Sequence, residues 1–150
     1  MAAGNWIMYN SAREYIGDGT IDLDTNTFKM ALTSNSYTPS AAHSTYSDIT
    51  NQVANGNGYT TGGATLANVT WGHTGTTATW DADDVVWTAS GGSIGPIRIA
   101  VIYDDTQTSP SKPLVCYCIL DSADITISNS STFTVAFNAS GILTLSGADS

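Results

Sequence analysis

Gly91-Gly-Ser93-Ile-Gly95 carries the G-x-S-x-G spacing of a hydrolase nucleophile elbow, in which a strained strand-to-helix turn presents a serine hydroxyl to a general base. Here Pro96 and a strand-forming run follow Gly95 in place of a helix, so a glycine-rich turn between strands accounts for the same letters. His43 and His73 are far apart and lack an H-x-x-x-H arrangement; a zinc site would have to be assembled from distant strands. Carboxylates gather at Asp18, Asp22 and Asp24, at Asp81, Asp83 and Asp84, and at Asp104 and Asp105, chemistry that suits a hard cation such as calcium. Asp22-Leu-Asp24-Thr-Asn26 begins like an EF-hand loop, but Thr27 stands in the glycine position and Thr33 in that of the bidentate glutamate. Aspartates that cap their own turns explain these clusters without a metal. Glu14 is the only glutamate, which leaves no acid/base pair of the glycosidase kind. Trp71, Trp80 and Trp87 could stack on sugar rings, or fill a core. Gly56, Gly58, Gly62 and Gly63 do not match a dinucleotide or P-loop fingerprint. The residues thus name no catalytic, cofactor or metal site, and the expectation is a protein that is not an enzyme and takes no cofactor.

Such residues need elements to position them, and the strongest are two runs, Ile97–Tyr103 and Leu114–Leu120, β-branched or aromatic at nearly every position and bounded by Pro or Asp. They read as central strands buried on both faces. Cys116 and Cys118 then lie two apart on one face of a strand, where extension disfavours a bridge, and are expected as buried thiols. Phe28, Met30 and Leu32 alternate with less apolar neighbours, the period of a half-buried strand. After Gly63, short strand candidates recur at Thr65–Trp71, Thr76–Trp80, Val85–Ala89, Ile125–Ile127, Thr132–Phe137 and Ile142–Leu145, separated by Gly, Asp, Asn and Ser turns. About nine strands result. Trp6, Tyr9, Ala12 and Ile16 recur at helical spacing, with Asn5 placed as the cap and Gly17 as the stop. Between Ser34 and Gly63 the pattern fails, apart from a possible helical turn over Ala41–Tyr46, and a connection of that length is commonly a binding loop or an arm. The fold expected is all-β, an antiparallel β-sandwich of jelly-roll-like kind with a short N-terminal helix and a long irregular segment. Residues 1–17 form a helical arm and 18–150 the sandwich domain, its polar tail 147–150 fraying.

Composition narrows the partners. The chain has 150 residues, enough for one domain with a real core; apolar residues make up 41%, so it is not of a disordered type. Four basic residues, Arg13, Lys29, Arg98 and Lys112, face thirteen acidic ones for a net charge of −9. So few cations cannot form the basic patch that nucleic acid needs. No apolar stretch reaches the ~20 residues of a helical membrane span, and Met1–Trp6 lacks the basic start and apolar run of a secretory signal; synthesis and folding in a cytoplasm are expected, with no membrane partner.

Several stretches together resemble a group of small virion structural proteins of tailed bacteriophages: Gly19-Thr-Ile-Asp-Leu-Asp24 leading to Phe28-Lys-Met-Ala-Leu32, Tyr37-Thr-Pro39, Tyr46-Ser-Asp-Ile49 and Gly58-Tyr-Thr-Thr-Gly-Gly63, then Asp81-Ala-Asp-Asp-Val-Val-Trp87, Ala100-Val-Ile-Tyr-Asp104 and Phe137-Asn-Ala-Ser-Gly-Ile142. The resemblance spans residues 15 to 145. It implies a non-enzymatic β-rich particle component, made in the host bacterial cytoplasm and carried on the virion. The role the resemblance implies is that of a capsid decoration, or cement, protein that binds the outside of the major capsid protein shell and associates with itself as a trimer or dimer. A neck, tail or fibre component is the alternative, and a carbohydrate-binding β-sandwich the second. The resemblance supplies no functional residues. The helix and the irregular segment are the parts expected to order on a neighbour, which makes Trp6, Tyr9, Ile16, Tyr37, Tyr46 and Tyr59 the candidate interface residues.

Overall fold

The computed structural model describes residues 1–147 of the chain; 148–150, most of the tail expected to fray, lie outside the described residues. The two strongest runs of the sequence sit at its centre. Strands β1 (Ile7–Met8), β2 (Phe28–Thr33), β3 (Ala64–Thr65), β8 (Ile99–Asp104) and β9 (Leu114–Ile119) form one antiparallel sheet in the order β1-β9-β8-β2-β3. Every residue of β8 is buried, as is every residue of β9 except Ile119. Opposed residues in an antiparallel sheet share a face, so the register places Met30, Ile102 and Cys116 on one side and Ala31, Val101 and Tyr117 on the other. Each side needs a cover, and each has one.

The first side packs toward a second layer built from short pairs: β6 (Val85–Thr88) with β11 (Thr132–Val135), and β7 (Ile94–Ile97) with β10 (Ile125–Ile127). Trp87 and Phe133, paired across the ladder, are both buried there. Strands β4 (Thr70–Thr74), β5 (Thr77–Asp81) and β12 (Leu143–Ser146) make a three-stranded ribbon in the order β12-β5-β4. Only its root joins the core, through Trp80, which meets Phe28 edge-on at 4.9 Å and donates its indole N–H to the Leu23 carbonyl at 3.1 Å. The result is the expected β-sandwich-like body of antiparallel sheets, with one short α-helix among the described residues.

The other side is covered by helix α1 (Asn10–Gly17) and by the irregular segment. The helix is shorter than its aromatic spacing suggests: it starts after Tyr9, which has no side-chain cap, and not after Asn5. Residues 7–8 pair with β9 instead, a long-range ladder that outcompetes local helical preference. Residues 1–17 therefore form a strap and not a free arm. Ala2 bridges to Ala136 beyond β11, β1 continues the central sheet, and Tyr9 and Ala12 are wholly buried, with Tyr9 5.2 Å from Tyr117.

The segment 34–63 contains a 3₁₀ turn at Tyr46–Asp48, capped by Thr45, near but not at the turn expected over 41–46. It is pinned to the sheet residue by residue. Val53 donates its N–H to the Leu32 carbonyl at 2.9 Å, and Ser34 donates to that of Asn51 at 3.1 Å. The Tyr59 hydroxyl accepts the Leu32 N–H at 3.0 Å and donates to Gln52 Oε1 at 2.9 Å, while Gln52 Nε2 donates to the Tyr46 hydroxyl at 2.7 Å. The Tyr103 hydroxyl closes the network by donating to the Gly62 carbonyl at 2.7 Å. Gly63, at φ +85°, lies so close to β2 that a Cβ would sit 1.8 Å from the Met30 carbonyl oxygen. Only glycine fits there.

Two expected strands are split. The 65–71 run breaks at 66–69, where Leu66 donates to the Phe28 carbonyl and Asn68 turns at φ 51°; the 97–103 run breaks at Arg98, which donates to Thr33 and accepts from Leu120. These two breaks, together with β1 where a helix is expected, raise the nine expected strands to the twelve described.

Candidate functional site

Most of the candidates for chemistry have their groups engaged elsewhere. Ser93 lies in an exposed bend that enters β7 directly, with no helix behind it, and its carbonyl accepts the Asn57 amide at 3.0 Å. His43 Nδ1 is 2.9 Å from the Tyr37 hydroxyl, which in turn lies 3.2 Å from that of Tyr9; His73 sits on the ribbon, 3.4 Å from the Gly75 carbonyl. No element brings either histidine to Ser93, so the elbow pattern is a glycine-rich turn. Burial pushes the Tyr9 hydroxyl well above the usual phenol range and raises that of Tyr37, so both phenols stay protonated at neutral pH.

The aspartates are turn devices. Asp22 Oδ1 accepts the N–H groups of Asp24 at 3.0 Å and Thr25 at 3.2 Å, and Asp18 accepts that of Thr20 at 2.8 Å. These bonds hold both carboxyls below the usual range. Asp83 accepts from the Asn68 side chain, and Asp84 from the Phe137 N–H at 2.9 Å. Asp104 is wholly buried, and burial raises its pKa against the bonds from Asn26 and Thr106. Asp105 feels some burial, but Lys112 at 3.1 Å and Lys29 at 3.3 Å outweigh it and hold the carboxyl low. Among the described residues no three metal-capable side chains converge. Cys116 and Cys118 are buried free thiols, both pushed up by burial. Trp80 and Trp87 belong to the core and Trp71 is half-buried, so the three indoles do not form an exposed row.

The six residues expected at an interface divide. Tyr9, Tyr37 and Tyr59 are buried within the chain, where their hydroxyls bond other groups of the fold, and their side chains are closed to a partner. The reason is physical: a tyrosine can fill a core while its hydroxyl satisfies an irregular backbone, so an aromatic in a loop need not face outward. Trp6, Ile16 and Tyr46 are half-buried. Trp6 lies 5.6 Å from Phe137, with its indole N–H buried and unpaired; the Tyr46 ring packs against that of Tyr103, centroids 4.7 Å apart and planes tilted by 50°.

Ile16 leads to the feature that the sequence pattern did not reveal. It lines an apolar groove of about 440 Å³ between helix α1 and the ribbon, whose other walls include Met8, Leu23, Trp71, Leu143 and Leu145. A second depression shares Ile16, Leu23, Trp71 and Leu145 and extends the groove along residues 17–22. The cross-strand row Trp71-Trp80-Leu143 puts these side chains on one face of the ribbon, and the next row, His73-Ala78-Leu145, carries that face past the body. Leu145 is 61% exposed. The signal available in sequence was the alternation Leu143-Thr-Leu145-Ser, which gives the face its period but not its exposure. Searches against known families, curated proteins and solved structures find no match to this chain.

Proposed function

We propose that this protein is a non-enzymatic structural subunit of a bacteriophage virion, a capsid decoration protein that binds the outside of the major capsid protein shell and stabilises it. The observation that carries the reading is the contrast between engaged chemistry and uncovered surface. The histidines and most of the acidic groups are committed to turns, caps and core bonds, while a continuous apolar groove along α1 and the ribbon stands open. A catalyst needs poised groups facing a cleft; an assembly subunit needs a rigid body and uncovered surface. The resemblance of residues 15 to 145 to small phage virion proteins gives that surface its context.

In this reading the partners are the major capsid protein and sister copies, as a dimer or trimer. The shell contacts the outer side of the 34–63 segment, whose inner side is locked to the sheet. An acidic exterior also suits a shell surface with basic groups, since a chain of net charge −9 repels another acidic surface. Cryo-electron microscopy of particles carrying the chain is the test. Density on the capsid exterior bridging several shell subunits is the expected result. Density in the neck, tail or fibre would keep the virion class and replace the role, and absence from the particle would overturn the proposal.

A further inference from the structure

Strand β12 ends the ribbon on one side, and among the described residues no strand pairs with its outer edge. Open edges usually carry a lysine, a proline or a bulge that discourages pairing. β12 reads Leu-Thr-Leu-Ser and carries none of the three. The apolar groove runs beside this edge, with Leu143 and Leu145 in its wall.

Charge selects what can cover it. The chain carries −9, and both lysines are drawn to Asp105, so most faces of two copies repel. The ribbon is the exception, its single charged side chain being Asp81 beside Trp80 at its root. Residues 66–80 and 125–147 contain no charged side chain, and every acidic residue except Asp149 lies between Glu14 and Asp124. The groove itself is lined by one cation, Arg13, and one anion, Asp22. A second copy meets the least repulsion when its own ribbon approaches this one.

We infer that two copies of this chain associate through β12, edge to edge and antiparallel about a two-fold axis, joining two three-stranded ribbons into one six-stranded sheet. An isologous contact requires each residue to meet its counterpart reciprocally. A register centred on Thr144 does so: Leu143 of each copy lies opposite Leu145 of the other, on the groove face, and Thr144 lies opposite itself. The pairing satisfies the open backbone groups and covers Leu145. This deepens the assembly reading by naming how copies meet, but it is measured on the isolated chain, so either can fail alone.

The test is sedimentation of the purified protein over a concentration series, with three additions. Leu145→Asp places an unpaired charge in the contact and is expected to weaken association about 100-fold, the equivalent of about 3 kcal/mol, while the exposed site leaves the fold intact. Raising salt from about 0.05 to 0.5 M shortens the screening length and is expected to tighten the dimer, since repulsion opposes it. Thr144→Cys is expected to cross-link on oxidation, because the residue faces its counterpart across the axis; Val86→Cys, exposed on β6, is not. A wild-type chain that stays monomeric at millimolar concentration overturns the inference. So does a dimer indifferent to Leu145→Asp. A monomer whose binding to capsid shells is lost with that variant would assign the groove to the shell and overturn it equally.

Discussion

The irregular segment 34–63 and the ribbon β4-β5-β12 invert the usual relation between regularity and rigidity. The segment has almost no repeating structure, yet Tyr37, Val53 and Tyr59 are core residues and its backbone is bonded to β2. The ribbon has ideal ladders, yet most of its residues are exposed or half-exposed and only Trp80 anchors it deeply. What holds a segment is how many of its groups are satisfied by the rest of the fold, not whether its hydrogen bonds repeat. Uncovered apolar surface accordingly lies along the orderly part of the molecule.

The most forceful way to break the contrast is at Gly63. A Cβ there meets the Met30 carbonyl oxygen at 1.8 Å, in a backbone conformation that L residues avoid. Gly63→Ala should cost about 4 kcal/mol or more, enough to unfold a domain of ordinary stability, as urea titration would register. Tyr59→Phe is a smaller injury to the same segment. It leaves the buried Leu32 N–H without its acceptor and removes one of the two donors to Gln52 Oε1, the Gly62 N–H remaining, for an expected loss of about 2–3 kcal/mol by the same titration. If either change were neutral, the irregular segment would be no more fixed than a surface loop.

Acid tests the segment through Asp48. Its carboxylate accepts the Ser44 N–H at 2.8 Å and that of Thr45 at 3.1 Å, and these bonds hold its pKa below the ordinary 3.8. A group depressed in the folded state contributes stability above its unfolded pKa and loses it as pH falls through the folded value. Wild type should therefore be more stable than Asp48→Asn at neutral pH, and melting temperatures of the two should converge as pH drops below 3.8. A gap that persisted at pH 2 would assign the effect to something other than ionisation. The smallest effect is expected on the ribbon, where Leu145→Thr should change stability by less than about 0.5 kcal/mol. A larger loss would mean that the ribbon tip supports the body after all.

The central sheet was legible because its signals are local: Phe28, Met30 and Leu32 alternate, and the runs over β8 and β9 are continuous. The strap was not. Trp6, Tyr9 and Ile16 keep helical spacing, but the ladder from Ile7 and Met8 to Cys116 and Tyr117 depends on residues more than a hundred positions away. The same holds for the aromatics of 34–63. Tyr46 and Tyr59 are ordinary loop residues until Gln52 stands between their hydroxyls, an arrangement no spacing rule encodes. Of the candidate interface, Ile16 alone lines the groove; Leu143 and Leu145 were visible as strand residues, but which face they uncover follows from where α1 docks.

The strap also sets a timetable. Ala2 bridges to Ala136, and the Ala3 N–H reaches the Ala136 carbonyl at 2.9 Å, so the beginning of the chain cannot close onto the body until the ribosome has passed residue 136. Strand β12, at 143–146, emerges later still. The residue that fastens the strap is thus made before the open edge, so every chain that carries β12 already carries what its beginning needs to close.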